Sequence, residues 1–189
     1  MRKILLFFCI GFLSACTTTS SAIAPQANVS PTENGGGWKV FLRVSDSHLA
    51  KKFDQRAWGE GEARIETSSI ASAVSSGAET ALTKLGFSPT VEDDSAFRSL
   101  NIDIRDLNYA AKPSHVLAVD LTADTEIFVS ATKKGKRFER SYTQNISRTI
   151  PIKPNKKKNE SLLEDLFSGA LTMIFQDQQL LNFLATEQE

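Results

Sequence analysis

Between Leu117 and Ala131 the odd positions are apolar almost without exception. Leu117, Val119, Leu121, Ala123, Ile127, Val129 and Ala131 follow one another, interrupted only by Thr125, while Asp, Thr, Glu and Ser fill most even positions. Successive side chains of a strand point to opposite faces, so this set describes one long strand with a dry face and a wet face, the habit of antiparallel sheets. Such a strand needs strand partners and an apolar layer over its dry face. The rest of the chain can be read by asking what supplies them.

Lys133 to Lys136, with Gly135, forms a turn, and Phe138, Arg140, Tyr142, Gln144 and Ile146 continue a returning strand. The inward face of that strand is less apolar, which predicts an edge or a bulge. Upstream, Leu100, Ile102 and Ile104 alternate with Asn101, Asp103 and Arg105, giving the strand before it. Trp38 to Val44, "WKVFLRV", is a first strand rich in strand formers, and a short strand is expected near Ala63 to Ile65.

The cover comes from two helices. In Ser68 to Leu85, Ile70, Val74, Ala78, Ala81, Leu82 and Leu85 recur at helical spacing. Ser68 or Ser69 is placed to cap the start, and Gly86 to end it in a left-handed conformation. After Asn159, Leu162, Leu163, Leu166, Phe167, Ala170, Leu171, Ile174 and Phe175 form a second stripe, and Asp177 is placed to cap a last helix carrying Leu180, Leu181 and Leu184. Pro151 and Pro154 break the chain before it. The expected fold is α+β in the order β-α-β-β-β-α: two helices packed on one face of a mainly antiparallel four-stranded sheet, a two-layer sandwich.

The N-terminus reads as an address. Arg2 and Lys3 precede an apolar run from Ile4 to Leu13, followed by the small residues Ser14 and Ala15, the pattern of a cleaved secretory signal. The run is too short for a spanning helix, which needs about 20 residues. Leu13-Ser14-Ala15-Cys16 resembles the lipobox of bacterial lipoproteins. That resemblance implies transfer of a diacylglyceryl group to the Cys16 sulfur as a thioether, cleavage between Ala15 and Cys16, and acylation of the new amine; this covalent lipid is the only attached group expected, with no cofactor and no metal. Anchoring by more than one acyl chain is durable, whereas one chain holds marginally. Thr17 in place of Asp after the cysteine points to the outer membrane. Cys9 leaves with the signal and Cys16 carries lipid, so the mature chain has no thiol for a disulfide, a zinc site or thiol catalysis. Asn-x-Ser triplets at Asn28, Asn145 and Asn159 have no role in bacteria.

Three segments follow: a signal at 1–15, a lipidated cysteine with a Ser/Thr/Pro/Gly-rich flexible tether at 16–37, and a single periplasmic domain at 38–189. Removing Arg2 and Lys3 turns 22 basic and 22 acidic residues into 20 and 22, so electrostatics gives no case for nucleic acid. Downstream, Asp54-Gln55-Arg56, Leu85-Gly86-Phe87, "LNIDIRDLNY" from Leu100 to Tyr109, the hairpin with Gly135 and Tyr142, and the closing Asp177, Leu181, Phe183 and Leu184 resemble the YajG family of Gram-negative lipoproteins. The long tether and the Lys156-Lys157-Lys158 run depart from its pattern. The resemblance implies a periplasm-facing lipoprotein and supplies no catalytic residues.

Candidate chemistry is sparse. His48 and His115 have no partner at metal-ligand spacing, and no Gly-x-Ser-x-Gly elbow exists. They are expected to face solvent or cap. Glu60, Glu62 and Glu66, and Glu92, Asp93 and Asp94, are read as solvated acids, and Gly35 to Gly37 precede a strand, unlike a phosphate loop. Asp54, Gln55 and Arg56 either line a groove beyond the first strand or hold their own turn. Two basic clusters, Lys133, Lys134, Lys136 and Arg137 on the hairpin tip and Lys153, Lys156, Lys157 and Lys158 between the last strand and the second helix, are solubilising loops or contacts for anionic headgroups, lipopolysaccharide or peptidoglycan. The expected function is a non-enzymatic envelope lipoprotein that meets the membrane through its lipid and binds an envelope protein or polymer. The alternatives are an assembly factor in an outer-membrane complex, similar to lipopolysaccharide-assembly lipoproteins, and an envelope hydrolase.

Overall fold

The structure, a computed structural model, describes residues 23–48, 57–58, 65–92, 98–115, 117–151 and 153–186. The long alternating segment is strand β6, Ala118–Lys133, flanked on both sides. β5, Arg98–His115, pairs with it antiparallel from Arg98↔Lys133 to His115↔Ala118, and β7, Lys136–Pro151, returns along its other edge from Lys133↔Lys136 to Ala118↔Pro151. The β6–β7 turn is two residues long, and both Lys134 (φ 48°) and Gly135 (φ 79°) are left-handed, the geometry that matches the twist of a tight hairpin. As expected, β7 is an edge strand.

The sheet corrects the expectation of four mainly antiparallel strands. β1, Lys39–Asp46, lies beside β5 and runs parallel to it, with Phe41 opposite Ser99. A fifth strand, β4, is only Ser88–Thr90 and adds in parallel to the outer edge of β1, giving the order β4-β1-β5-β6-β7. Ala57–Trp58 (β2) and Ile65–Glu66 (β3) form a separate short ribbon, in place of the strand expected near Ala63 to Ile65.

A bulge lies instead on β5, where none was expected. The register slips between Ile104 and Asp106. Leu100, Ile102 and Ile104 point inward on even positions; beyond the slip Leu107 does so on an odd one. One extra residue reverses the side-chain alternation. Opposite it stands the residue that broke the apolar pattern: Thr125, fully buried, donates its hydroxyl to the Asp106 carbonyl at 2.8 Å. The ladder defect and the polar core residue are one feature.

Helix α1, Ile70–Lys84, covers β1, and α2, Lys156–Gln176, covers β6 and β7, followed by the short α3, Gln178–Ala185. A 3₁₀ turn, Thr67–Ser69, leads into α1, and Ser69 makes no side-chain cap bond, so the expected serine cap is absent. At the other end Gly86 (φ 81°) closes the helix, the Phe87 N–H donating to Leu82 O and the Gly86 N–H to Thr83 O. α2 starts earlier than expected: Asn155 caps it by accepting from the Lys158 N–H at 2.9 Å, and Asn159 is buried within its second turn. No helix among the described residues is long and apolar enough to cross a membrane.

A third layer was not expected at all. The segment read as tether through Gly37 is docked from Ile23 onward. Ile23, Pro25 and Ala27 turn inward over the groove between α1 and α2. The Gln26 N–H donates to Ser168 Oγ at 3.0 Å, the Asn28 N–H to Thr172 Oγ1 at 2.8 Å, and the Gln176 amide to Asn28 O at 2.9 Å. A Cβ on Gly77 of α1 would stand 2.4 Å from Pro25 O, so glycine there is what lets the strap lie down. Farther on, the Thr32 and Gly35 N–H groups donate to Lys84 O and Leu85 O, the free carbonyls at the end of α1.

Candidate functional site

Ala15, Cys16, Asp54, Gln55 and Arg56 lie outside the described residues, as do Glu60, Glu62, Asp93 and Asp94. Lys156, Lys157 and Lys158 are described, and they are not a loop. They form the first turn of α2, with Lys156 and Lys157 exposed and Lys156 set 3.8 Å from Glu160. That turn holds no acid, although a helix start favours negative charge.

The other basic cluster divides. Lys134, Lys136 and Arg137 are exposed on the hairpin tip, but Lys133 is buried. Its ammonium donates to Thr186 O at 2.9 Å and to Phe183 O, at the C-terminal end of α3. Arg98, opposite it in the β5–β6 register, donates to Leu184 O at 2.8 Å and stacks 3.9 Å over the Trp38 ring. Two buried cations thus satisfy the carbonyls of one short helix, where its dipole favours positive charge. Burial above all, then the charges of Arg98, Lys136 and Lys134, hold Lys133 below the ordinary lysine value.

The start of α3 is held just as tightly. Asp177 Oδ1 accepts from the Gln179 N–H at 2.9 Å and the Leu180 N–H at 3.4 Å, the cap expected there. Its Oδ2 accepts from the Tyr142 hydroxyl at 2.6 Å and from Arg140. Burial works against the Asp177 charge, but the bonds from Tyr142, Gln179 and Leu180 and the Arg140 guanidinium outweigh it, and the carboxyl stays below its usual range. Burial, then the Asp177 bond and charge, push the Tyr142 hydroxyl well up. A cleft of about 270 Å³ beside this helix is lined by Lys133, Lys136, Phe138, Gln179, Asn182 and Phe183 among others.

At the end of β1, His48 is buried rather than solvent-facing, 3.9 Å from Asp46, whereas His115 is exposed. Ser45 Oγ, Ser47 Oγ and the Ser47 N–H all donate to Asp103 Oδ1 on β5, at 3.0, 2.7 and 3.2 Å. These serines therefore pin the strand end; neither hydroxyl is directed at the histidine as a nucleophile would be. Among the described residues no group of three His, Cys, Asp or Glu could hold a metal ion. The open face of the sheet is polar and densely paired: Ser99 with Thr132 at 2.6 Å, Thr149 with Asp120 at 2.6 Å, Asn108 with Asp124 at 2.9 Å, and Arg105 stacked 3.6 Å over Phe128.

Fold and clusters define an α+β domain in which helices and an N-terminal strap cover one face of a mixed sheet. The chain belongs to a family of uncharacterized lipoproteins, the YajG-like family, whose pattern matches residues 25–185. No curated protein matches it in sequence. Among solved structures it resembles a protein from Xanthomonas campestris (8% identity, TM-score 0.49, covering 86% of this chain and 93% of that one). It also resembles the rare lipoprotein B from Shewanella oneidensis (12%, 0.45, 75% and 93%) and a minor lipoprotein from Acinetobacter baumannii (9%, 0.44, 79% and 94%).

Proposed function

We propose that this chain is a lipid-anchored envelope lipoprotein, acylated on Cys16 after cleavage behind Ala15, whose domain acts as a non-enzymatic binding or structural module on the periplasmic side of the outer membrane. The observation that carries the reading is the docked strap. Ile23, the first described residue, is already packed against the domain, seven positions after the lipobox-like Leu13-Ser14-Ala15-Cys16. Seven residues reach at most about 25 Å, so a lipid on Cys16 holds the whole domain beside the bilayer. Family membership supports a lipoprotein, and Thr17 after the cysteine favours the outer membrane. The polar open face of the sheet is the surface left for an envelope protein or polymer.

The test is metabolic labelling with palmitate in cells making the parent chain or Cys16→Ala, followed by membrane fractionation. Label in the parent alone, recovered with the outer membrane, is the expected result. Equal label in both chains sinks the anchor, and recovery with the inner membrane sinks the address. Crosslinking in intact cells then identifies the partner.

A further inference from the structure

We propose that the end of the domain carrying the first turn of α2 and the tip of the β5–β6 hairpin lies on the anionic membrane surface, with Lys112, Lys153, Lys156, Lys157 and Lys158 at the headgroups and Leu117 at the acyl boundary. The inference rests on the lipid anchor at Cys16 proposed above.

The topology brings these residues together. β6 begins at Ala118, opposite His115 on one side and Pro151 on the other. The β5–β6 tip, the end of β7 and the start of α2 at Lys156 therefore share one end of the molecule. Lys112, Lys153, Lys156 and Lys157 are exposed there and Lys158 is half-buried. Of the nearby acids, Glu160 lies 3.8 Å from Lys156, Asp165 pairs with Arg148 and Asp120 accepts from Thr149, and Glu164 is half-buried one turn beyond Glu160. Leu117 is 81% exposed, although the alternation of its strand predicts it buried. With Val91 it is one of two exposed large apolar residues among those described.

Charge alone does not choose this end, because Lys134, Lys136 and Arg137 make the opposite tip basic too. The strap chooses. It runs parallel to α2, with Gln26 beside Ser168 and Asn28 beside Thr172. Ser168 lies 12 residues into α2, about 18 Å from Lys156 at 1.5 Å per residue, and tracing back from Gln26 to Ile23 recovers about 10 Å of that. At Ile23 the strap is thus directed toward the lysines. The β6–β7 tip is 16 strand residues away, about 50 Å, far beyond a Debye length of about 8 Å. A seven-residue connector reaching at most about 25 Å must bring the near end to the bilayer first. Three lysines at the positive end of a helix disfavour that helix on their own, but they suit a turn that faces phosphates. A basic surface with one protruding apolar residue is the chemistry of interfacial binding.

The experiment uses the full lipidated chain in vesicles of phosphatidylethanolamine and phosphatidylglycerol, with a polarity-sensitive fluorophore on His115→Cys or, separately, on Lys134→Cys. The mature chain has no other free thiol once the Cys16 sulfur carries its diacylglyceryl group. Quenching by headgroup-level spin-labelled lipid is expected at 115 and not at 134. Replacing Lys156, Lys157 and Lys158 with Gln should weaken the docked pose about a hundredfold, and neutral phosphatidylcholine vesicles should do the same. Chain that floats with the vesicles but shows equal quenching at both positions, or none at 115, overturns this orientation while leaving the anchor standing. Chain that fails to float overturns both.

Discussion

Replacing Gly77 with Ala sets two effects of opposite sign against each other. Ala in place of Gly inside α1 stabilises a helix by about 1 kcal/mol. The new methyl, however, would stand 2.4 Å from Pro25 O and 2.8 Å from Leu171 Cδ1, where heavy atoms rest at about 3.5 Å or more. Leu171 can rotate, but a backbone carbonyl in a docked strap cannot, so the strap must retreat by roughly 1 Å. The Gln26 and Asn28 N–H bonds to Ser168 and Thr172, now 3.0 and 2.8 Å, would then pass the useful limit of about 3.2 Å. Losing these and the Gln176 bond at about 0.5–1.5 kcal/mol each outweighs the helical gain and leaves a net loss of roughly 1–3 kcal/mol. Urea unfolding of Gly77→Ala gives the sign, and amide hydrogen exchange at Gln26 and Asn28 gives the place. The expected result is a lowered midpoint with about tenfold less protection at those amides per 1.4 kcal/mol lost. A raised midpoint with both amides still protected would refute the strap as drawn.

Leu121→Asp should unfold the domain, because Leu121 is 1% exposed at mid-strand and an unpaired buried charge costs several kcal/mol against a total of about 5–15; Lys134→Glu, on the exposed tip, should melt like the parent, and an unchanged melt for Leu121→Asp would place the core on the wrong face. Asp177 is held below the usual carboxylate range, so the folded state binds that proton less readily than the unfolded chain. Its contribution is present above the unfolded value of about 3.9 and is lost as pH falls through the lower folded value. Asp177→Asn should therefore cost about 1–2 kcal/mol near neutrality and flatten the acid limb of the urea midpoint against pH; an unaltered limb would show that Asp177 is not its source. Thr125→Val removes the hydroxyl donated to the bulge carbonyl of Asp106 and should cost about 1–2 kcal/mol, whereas equal stability would mean that the bulge does not depend on it.

Sequence revealed elements with a clean period and missed those held by single contacts. β6, α1 and α2 are legible because burial repeats along them, and Gly86 and Asp177 because helix ends have chemistry of their own. β4 is invisible: Ser88-Pro89-Thr90 has no alternation to read, and its pairing depends on β1 already being in place. The downstream half of β5 was hidden by the bulge, since inward positions change from even to odd at Asp106 and the period breaks in mid-strand. The start of α2 was hidden by three lysines where acids are expected. The strap carries no apolar run beyond Ile23; hydroxyls of α2 and a glycine of α1 hold it, and none of these announces a partner in sequence. The candidate site fared in the same way. Residues such as Leu85-Gly86-Phe87, Tyr142 and Asp177, which carry the family likeness, close helix ends in the fold. In this chain their contacts are accounted for by helix closure, and they point to no activity.

The docked strap also changes where such a protein can work. A tether free from Cys16 to Gly37 would let the domain range about 75 Å from its lipid at full extension. Docking from Ile23 leaves about 25 Å, less than the length of β6 itself. Freed from the membrane, the domain could sample partners across the envelope; under the anchor proposed at Cys16, it would meet what lies in or against the same leaflet. The strap, α1 and α2 occupy one side of the sheet and the proposed membrane contact occupies one end, which leaves the polar face of β5, β6 and β7 turned along the bilayer. Under that proposed anchor a partner reaching this face would itself stand at the membrane, and the hydrogen-bonding side chains there, Ser99, Thr132, Asn108, Asp124 and Thr149, suit a polar surface better than an acyl chain.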